Sequence, residues 1–219
     1  MGIIRSLSEQ EWRLLTDEVE GGTRPVETGR LGEGKGLVGW ARFRWARNAV
    51  AIWLMGHAGL RLGELLGLMV GDVMYGGEPV ACLLVRPEIA KCHLERTIPL
   101  DEVTRGAIRR MEFPQIANGR LVMDAPLLTR SFAGERMSSR GVQAMVARLG
   151  FLAVQRLITP HMLRHTYAAR LRRRCDLPVV QAMLGHACLS STQVYMGVTG
   201  DDMRDAVKSL SGNGVGRPG

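Results

Sequence analysis

For most of its length the chain repeats its hydrophobic residues with the period of an α-helix, but between residues 68 and 100 that period is lost. There "LMVGDVMY", "PVACLLVRP" and "LERTIPL" are short, rich in Val, Ile and Leu, and separated by turn residues such as Gly76-Gly77. Such segments predict three strands of a small antiparallel sheet. On either side the pattern is helical: "SLSEQEWRLLTDEVE", capped by Ser6 or Ser8, then "WARFRWARNAVAIWLMGHAG" with Trp45, Ala49, Ile52, Trp53 and Gly56 on its apolar face, and "RLGELLGL" after a turn at Gly59. Beyond the strands come "DEVTRGAIRRM", "SSRGVQAMVARLG", "PHMLRHTYAARLRRR", "LPVVQAMLG" and "DDMRDAVKSL". The fold class is therefore α+β, mostly helical, with one small three-stranded antiparallel sheet inserted early. Residues 1–39 are expected to form a helix and a glycine-rich loop, 40–210 one large domain, and 211–219 a disordered tail.

Bulk properties exclude several classes. With 219 residues the chain can bury a sizeable core. No apolar run approaches the ~18 residues that cross a bilayer, and the N-terminus has no secretory h-region. Cys82, Cys92, Cys175 and Cys188 have neither CxxC spacing nor paired rhythm, which argues against a zinc site and against a disulfide scaffold. A cytoplasmic location and no membrane partner are expected. The net charge of +8 and pI of about 10.0 point to an acidic partner, most often nucleic acid. Only Lys35, Lys91 and Lys208 are lysines among the 29 Lys and Arg residues. A lysine at a structured position in so arginine-biased a chain is a position where arginine does not serve.

The helix beginning at Thr159 concentrates the polar chemistry. Thr159 suits the N-cap and Pro160 the first helical position. His161, Arg164 and His165 then fall at spacings that let them share a face, near backbone N–H groups and the positive end of the helix dipole. Histidine and arginine there form a phosphate cradle; taken alone, they are better read as a solvated basic face with an N-terminal histidine. His165 reads either as a brace or as a core histidine. "RLRRR" further along is either a contact to a phosphate backbone or a solvated helix end. In "DLPVVQAMLGH", Gly185 takes the position after the helix and presents His186. Nine residues later stands Tyr195, one of three tyrosines with Tyr75 and Tyr167.

"HMLRH" followed by "LGHACLSSTQVY" resembles the tyrosine recombinase (phage integrase) family. Two further boxes fit the same family in order: "AGLRLGELLGL", with Arg61 and Glu64, and "AKCHLERTIPL", with Lys91 in a β-hairpin turn. The hairpin turn reads Ala90-Lys91-Cys92 where the family has glycine on each side of the lysine. Each box alone is weak, but the ordered set spans residues 59–198. What the resemblance implies is the tyrosine recombinase catalytic fold and a site-specific recombinase acting on double-stranded DNA. Tyr195 would be the nucleophile, His161 its base, Arg61 and Arg164 the holders of the non-bridging oxygens, His186 a hydrogen-bond donor and Lys91 the general acid. Glu64 would orient Arg61 or an adjacent backbone group, and His165 would support. The same resemblance implies no cofactor and no metal, a homo-tetramer on DNA, and a nucleoid-associated location. It also implies either a natural single-domain member without an N-terminal core-binding domain or a fragment, with a helper protein, cooperative assembly or an unusual site making up for the missing clamp. Two other readings remain: a type IB topoisomerase-like nicking-closing enzyme, and a DNA-binding regulator on an inactive scaffold. The amphipathic segment 201–210 would dock either on a neighbouring protomer or on its own domain.

Overall fold

A computed structural model describes residues 6–22, 37–90, 93–111, 113, 116–117, 120–185 and 200–211. Helix α1 (Glu9–Asp17) begins at Ser8, whose side chain accepts from the Glu11 N–H while Glu11 reaches back to the Ser8 N–H, a reciprocal capping box. A π-helical turn (Glu18–Gly22) follows. Helix α2 (Leu37–His57) is the axis of the molecule and packs against the π turn, α3 (Leu62–Gly67), α5 (Glu102–Arg109) and α7 (Pro160–Arg172). Ala49, Ile52 and Trp53 are buried as the helical period predicts, but so are Val50, Leu54 and Met55 on the other sides. Being covered all round explains why the C-terminal half of α2, residues 49–57, is apolar on nearly every side, while Ala41 and Arg44 in its first half are exposed. Gly56 lies so close to the Trp12 ring that a Cβ there would sit 2.1 Å from it.

The strand-rich window resolves differently from the expected single sheet of three. Val70–Val73 forms a short helix, α4, and only Met74–Tyr75 (β1) pairs, antiparallel, with Glu78–Pro79 (β2). Cys82–Val85 (β3) and Arg96–Pro99 (β4) form a second antiparallel ladder, with Leu83 opposite Ile98 and Val85 opposite Arg96. A third pair, Ile116–Ala117 (β5) with Arg120–Leu121 (β6), follows helix α5 (Glu102–Arg109). Asp72 is why the first segment turns helical: its carboxylate accepts from the Met69 N–H and takes the Arg86 guanidinium in two hydrogen bonds. A local cap and a long-range ion pair together outweigh the β-propensity of Val70 and Val73.

Helix α6 (Ser139–Val154) starts at the Ser138 cap, α7 (Pro160–Arg172) at Thr159, and α8 (Leu177–Leu184) ends on Gly185 in the left-handed region. Helix α9 (Gly200–Ser211) buries Ala206, Val207 and Leu210 against α7, α8 and β4 of its own chain. The N-terminal helix joins the same core: α1 packs on α6, and the Leu7 N–H donates to Thr166 Oγ1 on α7 at 2.8 Å. Among the described residues no helix is long and apolar enough to cross a membrane.

Candidate active site

Two glycine turns build the site. Gly59, between α2 and α3, has φ +63, and a Cβ there would meet the Tyr167 ring at 2.4 Å, so the turn needs both the conformational freedom and the missing side chain. Gly185 at the end of α8 has φ +61. The backbone carbonyls beside these turns point at one another's neighbourhood, and Arg164 fills the gap. Its guanidinium donates to the Gly59 carbonyl and, at 2.6 Å, to the Leu184 carbonyl. This pull takes the Arg164 side chain inward, to 6% exposure, while His161 and His165 stay exposed on the outer face of α7. Arg164 and His161 still line one cavity, but the buried arginine and the exposed His165 turn to different sides of the helix. Residues 164 and 165 are one helical step, about 100°, apart, and the tertiary carbonyls decide which way each turns.

Glu64 is the centre of the charge. It is 1% exposed, on the first turn of α3. One carboxylate oxygen accepts from Arg61 Nη1 at 2.9 Å and from Arg96 Nη1 at 3.0 Å. The other accepts from the Arg61 N–H at 2.8 Å and from Arg96 Nη2 at 2.7 Å, with Arg164 Nη1 at 3.9 Å. Glu64 thus orients Arg61 and its backbone, and it also holds Arg96. Burial alone would raise its carboxyl; the Arg96 hydrogen bonds and charge, with the Arg61 contacts, reverse this and hold it down at about 2. Three guanidinium groups surround one carboxylate, so the cluster keeps an excess of two positive charges. Arg164 registers that excess: burial first, and then the Arg61 charge, push its pKa down to about 10.

The cluster opens onto a cavity of about 730 Å³. Arg61, Arg164 and His161 line one side, and Arg140 and Gln143 of α6 the other. Among the described residues no carboxylate lines it. His161 Nε2 and His165 Nε2 are 3.0 Å apart, with rings edge to face at 4.4 Å. One ring must donate and the other accept, so this contact holds a single shared proton. Burial, then His161 and Arg164, lower the pKa of His165. His165 is no core histidine; it stands beside His161. Of the other expected residues, Lys91, His186 and Tyr195 lie outside the described residues. The connection carrying Lys91 runs from β3 to β4 and includes His93 at φ +53.

The structure removes the other tyrosines from contention. Tyr167 is fully buried, its hydroxyl 3.8 Å from the Met183 sulfur, and burial raises its pKa far above the ordinary value. Tyr75 is exposed on the β1–β2 hairpin and does not line the cavity.

Arg96 carries no role in the sequence reading, although it sits in the "LERTIPL" box. The available signal is strand alternation: Arg96 shares the inward face of β4 with Ile98. An inward arginine needs buried acceptors, and a carboxylate is the strongest of them. Arg170 also escapes both expected readings of "RLRRR". It turns inward, donating to His57 Nε2 at 3.1 Å and to the Leu210 carbonyl of α9 at 3.3 Å.

A mainly helical α+β domain that presents Arg61, Arg164 and His161 to a cavity without carboxylates among the described residues is the class of protein this fold and site define. The chain belongs to the phage integrase family, whose family model matches residues 43–200. Tyrosine recombinase XerD of Halalkalibacterium halodurans is 34% identical over 165 residues, which is 73% of this chain and 52% of that protein. Tyrosine recombinase XerC of a Methylobacterium species is 36% identical over 152 residues, covering 68% of this chain and 45% of the relative. The chain spans about half the length of these curated relatives. Among solved structures, the XerA recombinase aligns with TM-score 0.56 and 22% identity over 94% of this chain and 65% of that one. The XerH recombinase bound to its difH substrate aligns with TM-score 0.57 and 22% identity over 88% and 50%. At that identity the likeness is one of fold: this is the fold of tyrosine recombinase catalytic domains.

Proposed function

We propose that this chain cleaves and rejoins double-stranded DNA at specific sites through a 3′-phosphotyrosyl intermediate. The observation that carries the proposal is the uncompensated positive charge of the Glu64 cluster, presented by Arg61 and Arg164 to a cavity that no carboxylate lines among the described residues. Such a site is built for an anion with more than one charged oxygen, and arginine forks match a phosphodiester in geometry. Arg61 and Arg164 hold the two non-bridging oxygens and stabilise the charge that grows on them in the transition state. Tyr195 attacks phosphorus, its proton passing to His161, and the bond to the 5′-oxygen breaks. Lys91 supplies the proton that the leaving 5′-oxygen needs, which arginine, charged at all working pH, could not. His186 donates a hydrogen bond to the same phosphate. The covalent bond conserves the energy of the phosphodiester, so religation needs no nucleotide. Because the arginines supply the positive charge, cleavage is expected to continue in EDTA.

The named relatives and DNA-bound neighbours support DNA as the substrate, and joining two duplexes calls for four copies of the chain on DNA, with a helper protein where contacts are few. The test uses a randomised library of nicked duplexes, incubated with the protein and selected for attachment that survives SDS. The expected result is a covalent adduct, enriched for one sequence, that maps to Tyr195. Tyr195→Phe should give none, while Tyr75→Phe and Tyr167→Phe should retain it. An adduct formed by the Tyr195→Phe protein would overturn the mechanism. Adducts without sequence enrichment, with relaxation of supercoiled DNA, would move the chain to the nicking-closing class.

A further inference from the structure

We infer that Arg96 is a positioning residue for the phosphate site: it occupies Glu64 so that Arg61 and Arg164 stay available to the substrate. The inference rests on the reading of the cavity as a phosphate site. Glu64 is a strong acceptor with almost no access to water. Arg96 answers it with a two-pronged pair, 3.0 and 2.7 Å, one prong on each oxygen. Arg61 then spends a single side-chain N–H on Glu64, and its guanidinium remains partly exposed at the cavity. Arg164 spends its contacts on two backbone carbonyls and stands 3.9 Å from Glu64, too far for a hydrogen bond.

Arg96 reaches this position because three elements close around it. It starts β4, directly after the connection that carries Lys91. Its stem lies against Gly185, where a Cβ would come within 2.9 Å of the Arg96 Cδ, and Gly185 immediately precedes His186. Among the described residues the side-chain Nε of Arg96 is buried with no partner, and its side-chain hydrogen bonds all go to Glu64. Without the fork, a buried carboxylate would be left with two empty acceptor positions, a costly state. The nearest donors able to fill them are Arg61 and Arg164. Glu64 would then compete with the phosphate for the same guanidinium groups. The role is one of charge balance, so removing the charge of Glu64 should relieve the loss of Arg96. A residue that only holds the fold together would show no such relief.

The experiment titrates inorganic phosphate into the full chain and follows the Arg61 and Arg164 side-chain Nε–H signals by NMR, beside adduct formation on the selected duplex. In the unmodified protein both signals should move with phosphate. Arg96→Met should weaken phosphate about tenfold to a hundredfold, the loss of one charge-assisted contact, with kcat for cleavage falling more than KM rises. Arg96→Met/Glu64→Gln should recover at least half of that loss on the logarithmic scale. Arg96→Lys, which keeps the charge but not the fork, should fall between and serves if the methionine variant does not fold. Phosphate affinity unchanged in Arg96→Met or Arg96→Lys, or no recovery in the double variant, overturns the role of Arg96. No response of Arg61 and Arg164 to phosphate in the unmodified protein overturns the phosphate site itself, and this inference with it.

Discussion

Among the described residues two carboxylates, Glu64 and Asp101, are buried, and each gathers basic side chains around it. Around Glu64 are Arg61, Arg96 and Arg164. Around Asp101 are His57, with Nδ1 at 2.5 Å from the carboxylate, and Arg170, which donates to the far side of the same ring. Arg170 and the Asp101 carboxylate thus bracket the imidazole from opposite sides, and Glu9 Oε2 stands 3.7 Å from Arg170 Nε, so acidic groups answer the basic ones. Trp12 stacks on the His57 ring at 5.5 Å and Trp53 meets it edge-on at 4.7 Å, closing the cluster from solvent. The Glu64 cluster has positive charge left over and an open cavity beside it. Charge that is balanced and covered joins α2, α5, α7 and α9; charge that is left over and uncovered awaits a ligand. Counting charges within each cluster separates architecture from chemistry where residue types alone do not.

Breaking the closed cluster should have the largest effect, and on stability alone. Asp101→Ala strips His57 of its buried carboxylate partner and removes the cap on the Thr104 N–H, so unfolding in denaturant should be easier by about 3–5 kcal/mol. Adduct formation by the folded fraction at low temperature should be unchanged; its loss would erase the distinction between the clusters. Arg61→Ala should do the reverse. Cleavage should slow by about 10²–10³-fold, the cost of one preorganised donor to a developing oxyanion. Stability should hold, because the Arg61 N–H and Arg96 still satisfy Glu64. Tyr167→Phe belongs to the closed side: with only a sulfur near its hydroxyl, it should cost less than about 1 kcal/mol and leave adduct formation intact.

The pH dependence sharpens the same contrast. Glu64 is lowered to about 2, so its contribution to stability is present above the unfolded carboxyl value and is lost only as the pH falls toward 2. Asp101 is also lowered: burial opposes this, and the His57 hydrogen bond and charge, with the Thr104 contacts, outweigh it. Both clusters therefore persist through mildly acid conditions. His165 differs. Its folded pKa lies below the unfolded value, so the unfolded chain takes up the proton first and stability declines as pH falls below about 6.5. This slope should be shallow, since His165 is exposed, and His165→Asn should remove it in a series of denaturant titrations.

Some of this was legible in the chain itself. Helix starts coincide with capping side chains at Ser8, Asp101, Ser138 and Thr159, and Gly59 and Gly185 mark turns, because such signals act within one or two turns of backbone. The order of the boxes from Arg61 to Tyr195 was equally plain, as was the α+β class. What the sequence could not settle was where charge goes. Arg96 finds Glu64 across 32 positions, Arg164 finds the Gly59 carbonyl across 105, and Arg170 finds His57 across 113. Arg164 and Arg170 look alike along α7, yet one faces a cavity with surplus charge and the other a balanced pair under two tryptophans. The expected third strand likewise gave way to α4 once Asp72 met Arg86, 14 residues on. Periodicity and caps are properties of a segment. The partner of a buried charge is a property of how segments pack, and only the tertiary structure decides it.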